Sequence, residues 1–369
     1  MTHHLNTLFV TTDGAYLARQ GEALLVRVEK ETRLRVPIHN LGGVVCFGRV
    51  GISPSLMGLC GERGICISML SSNGRFLARI NGFTSGNVLL RREQYRRADE
   101  PGASARIARA IVAAKIANSR SVLLRGLRDH PECIGAAVLG AAANRLALGL
   151  EDLQRGRAAD GAQTGESAAG EGGGAEGLRV APSALDTVRG LEGEAGAAYF
   201  GAFDHLITAQ KEQFAFRGRN RRPPRDKVNA LLSFLYAMLA HDARAACEAA
   251  GLDPAVGFLH RDRPGRPGLA LDLMEEFRAY IADRLVLSLV NRRQVEAGGF
   301  ETAEGGAVQM DDKTRKAVLV AYQKRKKEEV IHPFLGEKVS VGLLVHLQAR
   351  LLARHLRGDL DAYPPFVWK

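Results

Sequence analysis
The chain has 369 residues, 46% of them apolar and 25% charged, the profile of a soluble globular protein with room for two cores. Its 51 Lys and Arg outnumber its 40 Asp and Glu, and the resulting +11 charge favours a polyanionic partner. The most apolar uncharged run, residues 228–240, is shorter than the roughly 20 residues a membrane-spanning helix needs, and no signal-peptide pattern follows Met1, so a cytoplasmic protein without a membrane partner is expected.

In chain order, residues 8–10, 16–17, 23–28 and 34–36 are short, partly alternating runs. Asp13-Gly14 and Gln20-Gly21 punctuate them as turns, which predicts strands. Pro37 should end the fourth run or place it at a sheet edge. Residues 42–47 read as a buried strand, 54–62 have helical spacing, and 65–69 read as another strand. Cys46, Cys60, Cys66, Cys133 and Cys247 are odd in number with no CxxC, a reduced pattern in which Cys60 and Cys66 serve as core fillers. From about residue 101 the period becomes helical, through Ile107, Ile111, Ile116, Leu123 and Leu127. Arg106, Arg109, Lys115, Arg120, Arg125 and Arg128 lie among them with no acid over 101–128, a candidate phosphate-facing surface. Residues 152–180 break the pattern; 161–177 holds seven glycines and four alanines, which predicts a flexible insertion. Helical spacing resumes near Ala184 and lasts to Arg357, and the Pro/aromatic tail, 358–369, cannot be helical through Pro364 and Pro365. The fold class is α+β, with a small sheet domain over 1–95 and a larger helical domain over 101–369.

Three patches carry chemistry. GLEG at 190–193 offers the Glu192 carboxylate, GFLH at 257–260 the His260 imidazole, and LDLMEEF at 271–277 the carboxylates of Asp272 and Glu275. On a helix that i,i+3 spacing lets both face one point. Alone, Glu192 reads as a first-turn glutamate favoured by the helix dipole, and Glu276 as a solvated charge. Asp272 lies among apolar residues, and a buried carboxylate needs a partner. Together, hard oxygens and one imidazole suit Mg²⁺ or Mn²⁺.

Arginines accompany these patches. His260 precedes RDRPGRPG at 261–268, which supplies Arg261 and Arg266. Residues 217–227 hold six basic residues and one acid, including Arg217, Arg219, Arg222 and Arg225, ahead of a helix from Val228 that Asp226 can cap. Arginines oppose the dipole there, a cost that a bound phosphate resolves. Residues 313–327 hold seven basic residues and no acid, either a solvated helix or a DNA contact. No GxxxxGK[ST], HExxH or CxxC occurs, and no GxGxxG follows a strand, which disfavours nucleotide hydrolysis, dinucleotide redox and zinc proteolysis.

GLEGEAGAAYF (190–200), RPPRDKVNALLSFLYA (222–237), GFLHRDRPGRPGLALDLMEEFR (257–278) and NRRQ (291–294), with GNVLLRREQY (86–95) and HLRGDLDAYPPFVW (355–368), resemble the CRISPR-associated integrase, the nuclease of spacer acquisition. The resemblance spans nearly the whole chain in order, and its nearest form is the version accompanying type I systems of subtype C. It implies an N-terminal β-sandwich and a larger all-α catalytic domain, a homodimer, and assembly with a small ferredoxin-like adaptation protein. It assigns the metal ligands to Glu192, His260 and Glu275, where many relatives carry aspartate at the last position. Asp272 matches a second acidic residue that assists the site, and Tyr236 a tyrosine near the catalytic centre.

The reaction this implies is Mn²⁺- or Mg²⁺-dependent. The 3′-hydroxyl of a short double-stranded DNA fragment attacks a phosphodiester at the boundary of a CRISPR repeat, with no covalent protein–DNA intermediate. Two other readings fit the same charges. One is a basic, non-catalytic DNA-binding scaffold, separable by divalent dependence. The other is a repair nuclease for branched DNA, separable by substrate choice.

Overall fold
The computed structural model describes residues 7–71, 76–82, 88–132, 134–163, 183–220 and 223–368. Strands β1 (Thr7–Val10), β2 (Tyr16–Gln20), β3 (Ala23–Val28), β4 (Glu31–Pro37), β5 (Gly43–Phe47) and β6 (Gly51–Ile52) precede helix α1 (Pro54–Glu62) and strands β7 (Cys66–Leu70) and β8 (Phe76–Ile80). They form two four-stranded sheets, ordered β1-β5-β7-β8 and β4-β3-β2-β6. Gln20 pairs with Ala23, so the β2–β3 turn has only two central residues, and Gly21 takes the positive φ of 58° it requires. Pro37 closes β4, an edge strand, as expected. Leu17 and Leu24 from one sheet, Val44, Cys46 and Ile67 from the other, and Leu56 and Cys60 of α1 share one buried core. Burial pushes the Cys46 thiol up to about 12 and the Cys60 thiol to about 11, in keeping with inert core fillers.

The helices are α2 (Val88–Asp99), α3 (Pro101–Asp129), α4 (Ala136–Gln163), α5 (Ala184–Ala202), α6 (Lys227–Ala249), α7 (Gly268–Glu275), α8 (Arg284–Asn291), α9 (Asp312–Lys327) and α10 (Leu344–Leu356). Two corrections follow. The flexible segment expected from residue 152 is not found over residues 152–163, because α4 continues to Gln163; residues 164–182 lie outside the described ones. The C-terminal region is not all-α. It holds two antiparallel hairpins, β9 (Phe300–Thr302) with β10 (Val308–Met310) and β11 (Glu329–Ile331) with β12 (Lys338–Ser340). Strands of three residues are too short for alternation to reveal, although Gly306 and Gly336, both at positive φ, mark their turns.

The chain forms two compact units that interleave in sequence. One gathers residues 1–87, 207–251 and 285–347, the other 88–206, 252–284 and 348–369. Helices α6 and α9 therefore belong with the sheets, across the compositional division between 95 and 101. The apolar run 228–240 lies within α6, where Leu231, Leu232, Leu235 and Leu239 are buried and Phe234 stacks on Phe47 at 5.8 Å. Among the described residues no helix is long and apolar enough to cross a membrane.

In the second unit α3 packs against α4, α5 and α7. Fully buried Asn118 of α3 donates to the carbonyls of Glu276 (2.7 Å) and Phe366 (2.9 Å) and accepts from the Trp368 N–H (2.8 Å). The tail thereby closes on the end of α7, and Phe366 stacks on Phe277 at 5.3 Å.

Candidate active site
The second unit holds all four residues the sequence singles out for chemistry, as two groups: Glu192 with Glu275 around Lys115, and His260 with Asp272. Ser183 caps α5 through the Asp186 N–H at 3.1 Å, so Glu192 lies in the middle of the helix and not in its first turn. The dipole therefore gives no reason for a carboxylate there. Arg189, one turn earlier, donates to the Leu259 carbonyl at 2.8 Å and ties α5 to the segment that bears His260.

That segment wraps around one carboxylate. Asp272 is fully buried; its Oδ2 accepts from the N–H groups of Phe258 (2.6 Å) and Leu259 (3.0 Å), and its Oδ1 from the His260 N–H (3.0 Å). The backbone can come this close because residue 257 is glycine: a Cβ there would stand 2.7 Å from Asp272 Oδ2 and 2.8 Å from the Gly268 carbonyl carbon. His260 Nδ1 lies 2.6 Å from Asp272 Oδ1. A carboxylate only accepts, so Nδ1 donates and Nε2 is the ring nitrogen left to ligate. The i,i+3 spacing does not aim Asp272 and Glu275 at one partner: Asp272 holds the imidazole, while Glu275 pairs with cations.

Glu275 is buried at 3% exposure, and its Oε1 accepts from Arg278 at 2.5 Å. Burial alone pushes this carboxyl up, but the Arg278 guanidinium and the Lys115 ammonium more than offset it and hold it at about 2. Lys115, from α3, forms an ion pair with Glu192 and lies 2.8 Å from Glu275 Oε2. Sequence reasoning placed Lys115 on a phosphate-facing surface and missed this role. The signal was its helical spacing from Ile111, Asn118 and Val122, all buried, which turns it inward.

The other bases of α3 also have partners within the protein. Arg106 pairs with Glu100 (3.9 Å), Arg125 with Asp129 (3.4 Å) and Arg128 with Asp129 (3.7 Å), Arg120 donates to the Ala143 carbonyl (3.2 Å), and Arg109 is buried. Glu276, expected in solvent, is fully buried: it accepts from the Phe366 N–H (2.7 Å), Gln348 (3.0 Å) and the Tyr363 hydroxyl. The tail, distant in sequence, supplies two of these partners.

Among the described residues no three His, Cys, Asp or Glu side chains stand close enough to hold an ion as they are; the Lys115 ammonium sits between the two glutamates. The donor set nonetheless fits a divalent ion. Two carboxylates from different helices already converge on one cationic centre, and converging carboxylate oxygens are the hard donors such an ion takes.

Of the expected DNA-binding residues, Arg261 is exposed and pairs with Asp186 at 3.0 Å, and Arg266 is half-buried in the following turn. Arg217, Arg219, Arg225 and Tyr236 belong to the other unit, and Arg222 lies outside the described residues. Arg217 and Arg225 are exposed. Arg219 turns inward, bonds Asn229 at 2.5 Å and lies 5.2 Å over the Tyr236 ring. Asp226 caps α6 through the Asn229 N–H at 2.7 Å, as expected.

The fold is shared with solved structures. A casposase bound to integration product superposes with a TM-score of 0.79 at 20% identity, covering 99% of this chain and 94% of that one. A chain of a Cas6-RT-Cas1–Cas2 complex superposes at 0.73 with 22% identity, covering 100% of this chain and 36% of that one. Sequence narrows the class. Residues 8–324 match the family described as CRISPR associated protein Cas1, and the curated CRISPR-associated endonuclease Cas1 1 of Chlorobaculum tepidum is 51% identical over 369 residues, 100% of each chain. The chain belongs to the CRISPR-associated Cas1 family and is an endonuclease of that family, which disposes of the non-catalytic scaffold.

Proposed function
We propose that the chain is the metal-dependent integrase and endonuclease of spacer acquisition, inserting short foreign DNA fragments into a CRISPR array by 3′-hydroxyl attack on repeat-boundary phosphodiesters. The observation that carries this reading is the convergence of Glu192 and Glu275 on one cationic centre, with His260 fixed by Asp272 on the same α7 framework.

Glu192, Glu275 and Nε2 of His260 would hold Mn²⁺ or Mg²⁺, which when bound supplies Lewis-acid polarisation of the scissile phosphate. Asp272 orients the imidazole, and its three backbone hydrogen bonds keep it from rotating away. Arg278 and Arg261 offer fixed positive charge to phosphate oxygens near this centre, while Arg217 and Arg225 offer it on the other unit. The partners proposed are double-stranded DNA, both the captured fragment and the repeat, a second copy of this chain, and a small ferredoxin-like protein of the Cas2 kind, with which the Cas1 of the fused complex above assembles. The motifs support the version of type I subtype C.

The test incubates the protein, its small partner, short duplexes with free 3′-hydroxyls and a repeat-bearing plasmid, with and without Mn²⁺. Metal-dependent joining at repeat boundaries is expected. Joining indifferent to the repeat, with cleavage of branched DNA instead, would replace this reading with the repair nuclease.

A further inference from the structure
Lys115 is part of this site, yet no ligand assignment uses it. Its side chain is 13% exposed on the inward face of α3, and its ammonium pairs with both Glu192 and Glu275. No other described cation pairs with both: Arg278 pairs with Glu275 and His260 with Asp272. A divalent ion held by both Glu192 and Glu275 would stand close to the Lys115 ammonium, and two cations at that range repel each other. The four-carbon stem of lysine is flexible enough for the ammonium to leave without moving the helix.

We propose that Lys115 is an exchangeable placeholder for the metal: it holds the Glu192 and Glu275 carboxylates together before an ion arrives and swings out as the ion enters. This rests on the metal-site reading above. It makes Lys115 a positioning residue that binds in competition with the ion. Without it only Arg278, on Glu275, offsets the charge of the two facing carboxylates; with it, each ion that binds must first break two ion pairs.

The test is Mn²⁺ binding by calorimetry, with melting temperatures taken with and without Mn²⁺. Lys115→Met keeps the stem and removes the charge. It should lower the Mn²⁺ Kd about tenfold, which is about 1.4 kcal/mol. It should also melt lower than wild type without metal and gain more on adding Mn²⁺. Lys115→Arg keeps the charge and should show no gain in affinity. If the Met variant does not fold, Lys115→Gln is read in the same way. A folded Met or Gln variant whose Mn²⁺ affinity equals or falls below wild type overturns the proposal, as does an Arg variant that gains affinity as the Met variant does. Wild type that binds no Mn²⁺ at all overturns the metal reading itself, a result distinct from equal binding by wild type and variant.

Discussion
Two lysine–carboxylate pairs lie below the surface, one in each unit, and they are built to different ends. In the sheet-bearing unit Asp242 of α6 accepts from Lys326 at 2.8 Å and Tyr322 at 2.7 Å, both on α9. One carboxylate meets one ammonium, and a phenol completes it. Burial pushes the Asp242 carboxyl up, and Lys326 more than offsets this; burial drops neighbouring His241 to about 4, so it is neutral at neutral pH. At Lys115 one ammonium is shared by two carboxylates, and Arg278 takes the other oxygen of Glu275. The first arrangement is closed and holds two helices together. In the second, carboxylates from two helices converge on one lysine, and converging carboxylate oxygens are what an ion site needs. Burial alone does not tell these pairs apart; the number of carboxylates that meet at the lysine does.

The largest effect should come from removing the converging side chains. Glu192→Ala, His260→Ala and Glu275→Ala should each lower strand transfer about a thousandfold, the several kcal/mol a metal contributes to phosphoryl chemistry. DNA affinity should stay close to wild type in a filter-binding or anisotropy assay. Full activity in any one variant would remove that residue from the ion's ligands. Asp242→Ala is the contrast. Leaving Lys326 buried and unpaired should destabilise the protein by about 3–5 kcal/mol in urea unfolding, while the Mn²⁺ concentration for half-maximal activity stays unchanged. A shift in that concentration would mean that the closed pair is not purely structural.

Glu276 gives a third case, a buried carboxyl with no cation. Burial raises it to about 8, against the lowering by Tyr363, Phe366 and Gln348. Its folded-state value lies above its unfolded value, so the stability it lends is complete below about 4.5 and is lost as pH rises toward about 8. Glu276→Gln mimics the neutral form. It should flatten that decline and melt higher than wild type at pH 8, with little difference at pH 5. A parallel pH dependence in both proteins would show that Glu276 stays charged. The smallest effect is expected on the surface: Arg217→Ala with Arg225→Ala should reduce the log–log salt slope of duplex binding by about 0.9 for each phosphate left without its arginine. An unchanged slope would make the 217–227 patch a solvated loop.

The proposed ligands of the site were legible because their chemistry is punctuated locally. Glu192 lies between glycines, and His260 and Glu275 follow Gly257 and Gly268, the two residues whose bare backbones interlock around Asp272. Their common destination came from family resemblance as much as from spacing. What stayed hidden was long-range. Lys115 lies 77 residues from Glu192, and Tyr363 lies 87 from Glu276, so neither pairing leaves a local pattern. Periodicity placed Lys115 on a helix but gave no reason to prefer an inward partner over a phosphate. The strand-rich start was readable from its turns, whereas the interleaving of α6 and α9 with the sheets depends on tertiary packing such as Phe234 on Phe47.

The central claim is that Glu192 and Glu275 form the walls of one divalent-ion site. Its most direct test is a titration of Mn²⁺ into the wild-type chain and into folded Glu275→Gln, following the EPR signal of free Mn²⁺. The account predicts that wild type depletes the free signal and that the Gln variant leaves it nearly undiminished over the same range. Equal depletion by both proteins would contradict it.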